Sequence, residues 1–281
     1  MYYDKYLNEM ILQIPKLFPT GKEYNLLICV PGKGGEKEFT AYITNRIIDL
    51  NSMNAGAQCF PLYYYEAPTE GDLFAQDKML RHDGITDYIL QRAHHLYNDL
   101  KITKEDIFYY VYGFLHLPTY REQFANELKK SLPRLILVPE TEKFWQLSKA
   151  GRALAEIHLN YENQEPPREV IIEGIEHNNF KVQKMKLSTD KTTLIYNSFI
   201  KIKNLPPRSF EYIVNGRSPL EWIIDRYQVK VDKASGIENN PNLWCEEHDN
   251  PKYIFNLILS CLTVSLKTLD IVDSLPTVDF D

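Results

Sequence analysis

The chain has 281 residues, 44% of them hydrophobic, enough for one large packed domain or two small ones. A formal charge of −6 and a pI near 5.7 exclude a protein that coats nucleic acid by charge alone. The charge is uneven: residues 181–233 hold eleven Lys and Arg against five acids, a net +6, which leaves −12 for the remainder.

The N-terminus, M-Y-Y-D-K-Y, is charged and aromatic rather than signal-like, and no apolar run reads as approaching the roughly 18 residues that span a bilayer. A soluble, cytoplasmic protein without a membrane partner is expected. Cys29, Cys59, Cys245 and Cys261 are widely spaced in mostly apolar surroundings, as reduced core thiols would be. Only Cys245 and His248 approach ligand spacing, and without a second pair nearby no metal site is expected.

Tyr24 to Val30 reads as a buried strand. The P-G-K-G-G run after it (Pro31 to Gly35) lacks the G-x-x-x-x-G-K-[ST] spacing of a phosphate loop and reads as a connection between strands. Phe39 to Ile43 and Gln58 to Tyr65 read as further strands, with Asn45 and Arg46 on a loop that could face DNA. Ala67 to Asp83 is a polar bridge without clear periodicity. Helices follow: Ile85 to Tyr97 with Thr86 near its cap, then Asp106 to Leu115 capped by Thr103, whose aromatic face reads as core. Pro118 ends that helix and Tyr120 to Lys130 begins another. Glu127 and Lys129 have E-x-K spacing, but side chains on one helix do not make a nuclease site without a strand and a second acid.

Leu135 to Val138, between Pro133 and Pro139, reads as a short strand. Thr141 caps a long helix to about Tyr161, in which Ala150, Gly151, Ala153 and Ala155 allow close helix packing. The Pro-Pro segment Glu162 to Glu169 marks an internal boundary, dividing an N-terminal part, 1–161, from a C-terminal part, 170–281, of one compact domain. Val170 to Ile172, Val182 to Leu187 and Thr193 to Ile202 alternate as half-buried strands, with Lys184, Lys186, Lys201 and Lys203 on repeating sides.

The stretch from Arg208 to Asn242 carries the most specific signals. Ser218, Pro219 and Glu221 stand as N-cap, N1 proline and N3 glutamate of a capping box. Leu220, Ile223, Ile224 and Tyr227 then form one apolar stripe of a helix over 219–228. Gly236 and the N-N-P-N run beyond it read as a polar loop. Asn250 and Pro251 cap a last apolar helix, 251–269, and the tail reads as acidic and frayed.

Arg and Asn match guanine and adenine edges, while Lys, Ser and a helix N-terminus suit phosphate oxygens. Arg208, Asn215, Arg217, Ser218, Arg226, Lys230, Lys233, Ser235, Asn239 and Asn240, with the four strand lysines, are therefore candidate DNA contacts. The same residues equally fit a solvated helix flanked by turn-forming Asn and Gly. Catalytic motifs are missing. The only Pro-Pro pairs, E-P-P-R and L-P-P-R, do not make the Asn/Asp-Pro-Pro-aromatic loop of an amino-methyltransferase, and there is no Walker lysine or G-x-S-x-G. His94, His95 and His116 have no nucleophile nearby. The chain is expected to hold no catalytic centre and no cofactor.

The order N-G-R-S-P-L-E-W-I-I-D-R-Y-Q-V-K from Asn215 to Lys230 resembles the C-terminal specificity region of type ISP restriction-modification enzymes. Asn8 to Pro19, Asp106 to Arg134 and Phe144 to Glu162 agree with that family in the same order, so the resemblance spans nearly the whole chain. It begins at Met1, whereas family members continue upstream, and so implies a piece of a longer polypeptide. In such enzymes a nuclease, a RecA-like motor and an adenine-N6 methyltransferase precede the target-recognition domain. The resemblance implies an α+β fold of mixed strands with helical insertions, like a DNA target-recognition domain, with double-stranded DNA and the methyltransferase and motor modules as partners. Two other readings stay open: a structural coupling module that touches only the DNA backbone, and an enzyme without a recognisable motif.

Overall fold

In the computed structural model, which describes residues 14–67 and 79–280, the buried run Leu26 to Val30 becomes the centre of a sheet. Strand β1 (Leu27–Pro31) lies between β2 (Tyr42–Thr44) and β3 (Ala57–Pro61), antiparallel to both. The Pro31 to Gly35 stretch is the connection out of β1. Cys29 and Cys59 face each other across β1 and β3 as free thiols, Sγ to Sγ 3.4 Å, a pairing their separation in sequence hides. The expected strand Gln58 to Tyr65 is two strands. The Asn25 amide accepts from Tyr63 N at 3.0 Å and donates to Tyr63 O at 2.7 Å. That diverts β4 (Tyr63–Glu66) to a separate pairing with β5 (Leu80–Asp83). Strand β5 ends the stretch read as a polar bridge, of which 68–78 lie outside the described residues.

Helix α1 (Ile14–Leu17) precedes this sheet, and α2 (Asp87–Tyr97), α3 (Lys104–Phe114), α4 (Pro118–Gln123), α5 (Ala125–Lys130) and α6 (Thr141–Leu159) follow it. Thr86 caps α2 and Thr103 forms a full capping box with Asp106. Because Asp106 is N3 of that box, α3 starts at Lys104, earlier than read. Pro118 opens α4 rather than ending α3, at a position where its missing N–H costs nothing. Helices α3 and α6 touch backbone to backbone. A Cβ on Gly151 would lie 1.9 Å from Tyr109 O, and one on Gly113 2.2 Å from Leu147 O.

Residues Leu135 to Val138 are not a strand. Their alternate carbonyls are taken by tyrosine hydroxyls instead of a neighbouring strand. Tyr120, Tyr110 and Tyr97 donate to Arg134 O, Ile136 O and Val138 O at 3.1, 2.6 and 2.7 Å. The tail is not frayed either: Val278 is buried, and the Phe280 ring packs on Phe114, Tyr120 and Phe124. Ser274–Asp281 accordingly groups with Met1–Leu159 as one unit, and Asn160–Asp273 forms a second.

In the second unit, β6 (Ile171–Glu173), β7 (Lys186–Leu187), β8 (Thr193–Ile195) and β9 (Lys201–Lys203) form an antiparallel sheet in the order β6-β9-β8-β7. Ile172, Ile202, Leu194 and Leu187 stand in one row of its register. They join a core with Leu220 and Ile223 of α7 (Pro219–Arg226) and with Phe255, Ile258 and Leu262 of α9 (Tyr253–Asp273). Helix α9 corrects one expectation. It has 21 residues and a mean hydropathy of 1.6 over its most apolar stretch, so by length and composition alone it could cross a bilayer. Here that apolar surface is the centre of the core, with Ile254 to Ser265 buried apart from Asn256.

Side-chain amides shorten the other expected strands. Both backbone groups of Val182 bond the Asn242 amide at 2.8 Å, and only Lys186–Leu187 remain as strand. The run Thr193 to Ile202 is folded into β8 and β9 by Asn197, whose Oδ1 accepts from Phe199 N and Ile200 N at 2.9 and 2.8 Å. The N-N-P-N run is not a loop. It lies between the hairpin of β10 (Lys230–Val231) and β11 (Glu238–Asn239) and helix α8 (Pro241–Glu247), for which Asn240 is the N-cap and Pro241 the N1 residue.

Candidate nucleic-acid interface

Asn215 and Gly216 both have positive φ, 51° and 88°, and Val214 and Arg217 pair across them. This is the two-residue Asn-Gly turn that matches strand twist, and it delivers Arg217 to the entrance of α7. Ser218, fully buried, then closes the capping box: its Oγ donates to Glu221 Oε2 at 2.8 Å and accepts from Glu221 N at 3.4 Å. The expected cap is present, and it occupies the Ser218 hydroxyl. Lys191 holds the other Glu221 oxygen at 2.9 Å.

On the outer side of α7 three cations converge on one carboxylate. Lys230 Nζ lies 2.9 Å, Arg217 Nη1 3.2 Å and Arg226 Nε 3.7 Å from Asp225. The Lys230 ammonium first, then the two guanidiniums, hold the Asp225 carboxyl below the usual carboxylate range. The Trp222 ring carries both arginines, with Arg217 Cζ 5.1 Å and Arg226 Cζ 5.5 Å from its centroid. Its indole N–H is fixed on Val214 O at 2.7 Å. Trp222 and Asp225 are the residues that sequence reasoning missed. The spacing of Trp222 and Arg226, four apart on a helix, was the available signal. Asp225 is 37% exposed and its cations 48–69%, so each pair contributes about 0–1 kcal/mol. They orient the guanidiniums at little cost to exchange.

The sheet presents a second group. Its register sets Lys186, Ile195, Lys201 and Glu173 in one row and Lys203 in the next, on the face opposite the core row. Lys203 pairs with Glu173 at 2.7 Å. Lys184, Lys186, Lys201 and Lys233 make no ion pair among the described residues. Lys184 is exposed, just before β7.

The remaining candidates have local tasks. Arg208 clamps Asp270 and Asp273 in the last turn of α9, where acids face the negative end of the helix dipole. Ser235 shapes the exposed β10–β11 turn, its N and Oγ each 2.8 Å from Asp232 Oδ1, and Lys233 lies in the same turn. Asn239 is exposed on β11, and Asn240 accepts from Asn242 N at 3.2 Å as the α8 cap.

The buried titratable groups of the first unit are committed to packing. His116 Nδ1 donates to Tyr112 O at 2.8 Å and Tyr112 Oη donates to His158 Nδ1 at 2.6 Å. Burial holds both imidazoles neutral, His158 with a pKa lowered to about 4. An apolar cavity of about 270 Å³ lined by Ile28, Val30, Phe60, Phe108, Val111 and Leu135 contains no titratable side chain. His94 Nε2 donates to Ile102 O at 2.8 Å.

The fold combines small antiparallel sheets with helical insertions and carries an outward cluster of oriented arginines, and comparison with known proteins places it. The model of the Type ISP C-terminal specificity domain matches residues 1–257, and the chain belongs to that family. Solved structures similar to it include three with DNA or a DNA mimic bound. The ATP-dependent Type ISP restriction-modification enzyme LlaBIII bound to DNA is 39% identical, with a TM-score of 0.82 over 96% of this chain and 17% of that one. A nuclease-deletion mutant of the Type ISP enzyme LlaGI with a DNA substrate mimic is 39% identical, TM-score 0.80, over 100% of this chain and 24% of that one. The DrdV–DNA complex is 27% identical, TM-score 0.80, over 100% and 27%. The chain thus spans about a quarter or less of the length of the two Type ISP chains. No curated protein matches it.

Proposed function

We propose that this chain is the target-recognition part of a Type ISP restriction-modification enzyme and reads a double-stranded DNA sequence through its second unit. The observation that carries the reading is the pair of guanidiniums, Arg217 and Arg226, held outward on Trp222 and Asp225 at a capped helix. Arginine is the side chain best suited to the two acceptors of a guanine edge. Lys184, Lys186, Lys201 and Lys233, with no counter-ion among the described residues, supply phosphate contacts that set register without reading sequence. Ser218, Asn215, Ser235 and Asn240 act by shaping the turns and helix entries that present these cations.

On this reading the chain has no catalytic residue and needs no cofactor. Adenine-N6 methyl transfer, ATP hydrolysis and cleavage belong to other modules of a cytoplasmic enzyme. The proposal is supported by the family membership and by relatives solved with DNA. Selection of the chain against a random duplex library tests it. One enriched, asymmetric sequence is expected. Uniform, salt-sensitive binding would instead establish a coupling module, and no binding would refute DNA contact altogether.

A further inference from the structure

Asp225 stands where its own helix disfavours it. It lies in the last turn of α7, facing the negative end of the macrodipole, whereas Glu221 in the first turn faces the positive end. The surroundings of Asp225 are too exposed for its ion pairs to be a device for stability. What it does accomplish is to engage Arg217, Arg226 and Lys230 at once, while Lys230 Nζ also donates to Asp225 O at 2.7 Å. The same two guanidiniums lie over the Trp222 ring.

We propose that Asp225 is a specificity-determining residue: with Trp222 it holds the Arg217 and Arg226 guanidiniums in the orientation in which they meet a target's base edges. The inference rests on the reading that this face binds duplex DNA. A phosphate accepts from any direction and gains little from such orientation. A guanine edge presents two acceptors in fixed directions, so only an oriented guanidinium meets both. Removing the carboxylate should therefore weaken target binding, with less effect on non-target binding. Asp225 acts through the arginines and is a positioning residue.

The test measures the affinity of the whole chain for its selected duplex and for a scrambled duplex. Wild type is compared with Asp225→Asn and with Glu211→Gln, which removes the same charge from an exposed side chain outside the cluster. Relative to Glu211→Gln, Asp225→Asn should weaken binding to the selected duplex by about ten-fold and change the scrambled duplex much less, the scale of one charge-assisted contact. Glu211→Gln should shift both duplexes equally. Asp225→Ser provides a second uncharged variant if the first melts at a lower temperature. Equal behaviour of the Asp225 and Glu211 variants, with wild type still discriminating, overturns the role of Asp225 alone. A wild type that binds both duplexes alike overturns the DNA reading and this inference with it.

Discussion

Lys201 and Lys203 share a strand and a face, yet among the described residues the first makes no ion pair while the second is tied to Glu173 at 2.7 Å. If the face meets phosphate, Lys201 gives up only water, whereas Lys203 must give up a carboxylate. Lys201→Ala should weaken all duplexes alike and reduce the magnitude of the log K against log salt slope by about 0.9. A salt titration of wild type and variant checks this, and an unchanged slope removes Lys201 from the interface. The alternation of these lysines was legible because a strand's period of two is a local property. Which of them has a counter-ion was not, because Glu173 lies thirty residues away and reaches Lys203 only through sheet pairing.

The elements divide on the same principle. The start of helix α7 was legible, since Ser218, Pro219 and Glu221 act within one turn of each other, whereas its end was not: it stops at Arg226, with Tyr227 as its C-cap, rather than at 228. Elements decided by distant side chains were not. Asn242 truncates the strand at Val182, Asn197 folds another in two, and three tyrosines hold Leu135 to Val138 extended without a neighbour. The convergence on Asp225 was hidden likewise, because it depends on the Asn-Gly turn before α7 and the chain exit after it. The cap should be a matter of stability alone. Ser218→Ala should cost about 1 kcal/mol, seen as a lower melting temperature, and should leave the selected sequence unchanged. A changed sequence at an unchanged melting temperature would instead give the buried hydroxyl a direct part in recognition.

Over the whole molecule, a charge of −6 combines with a +6 stretch from 181 to 233. On the proposed reading, a chain so balanced meets duplex DNA through one region rather than everywhere, and has to derive affinity from oriented contacts. Within that stretch seven of the eleven cations are engaged by carboxylates among the described residues: Lys181, Lys191, Lys203, Arg208, Arg217, Arg226 and Lys230. That economy suits a reader of sequence better than a coat for the backbone.

Arg217 is the central residue of the proposed reading face, and library selection of wild type beside Arg217→Ala tests its role most directly. The variant should bind the preferred duplex more weakly by roughly 1–3 kcal/mol and lose its preference at one base position. Its melting temperature should stay near that of wild type, since the pair with Asp225 is exposed. An identical selected sequence together with a lowered melting temperature would show that Arg217 serves only the fold, and would contradict the reading of this face as the one that recognises DNA.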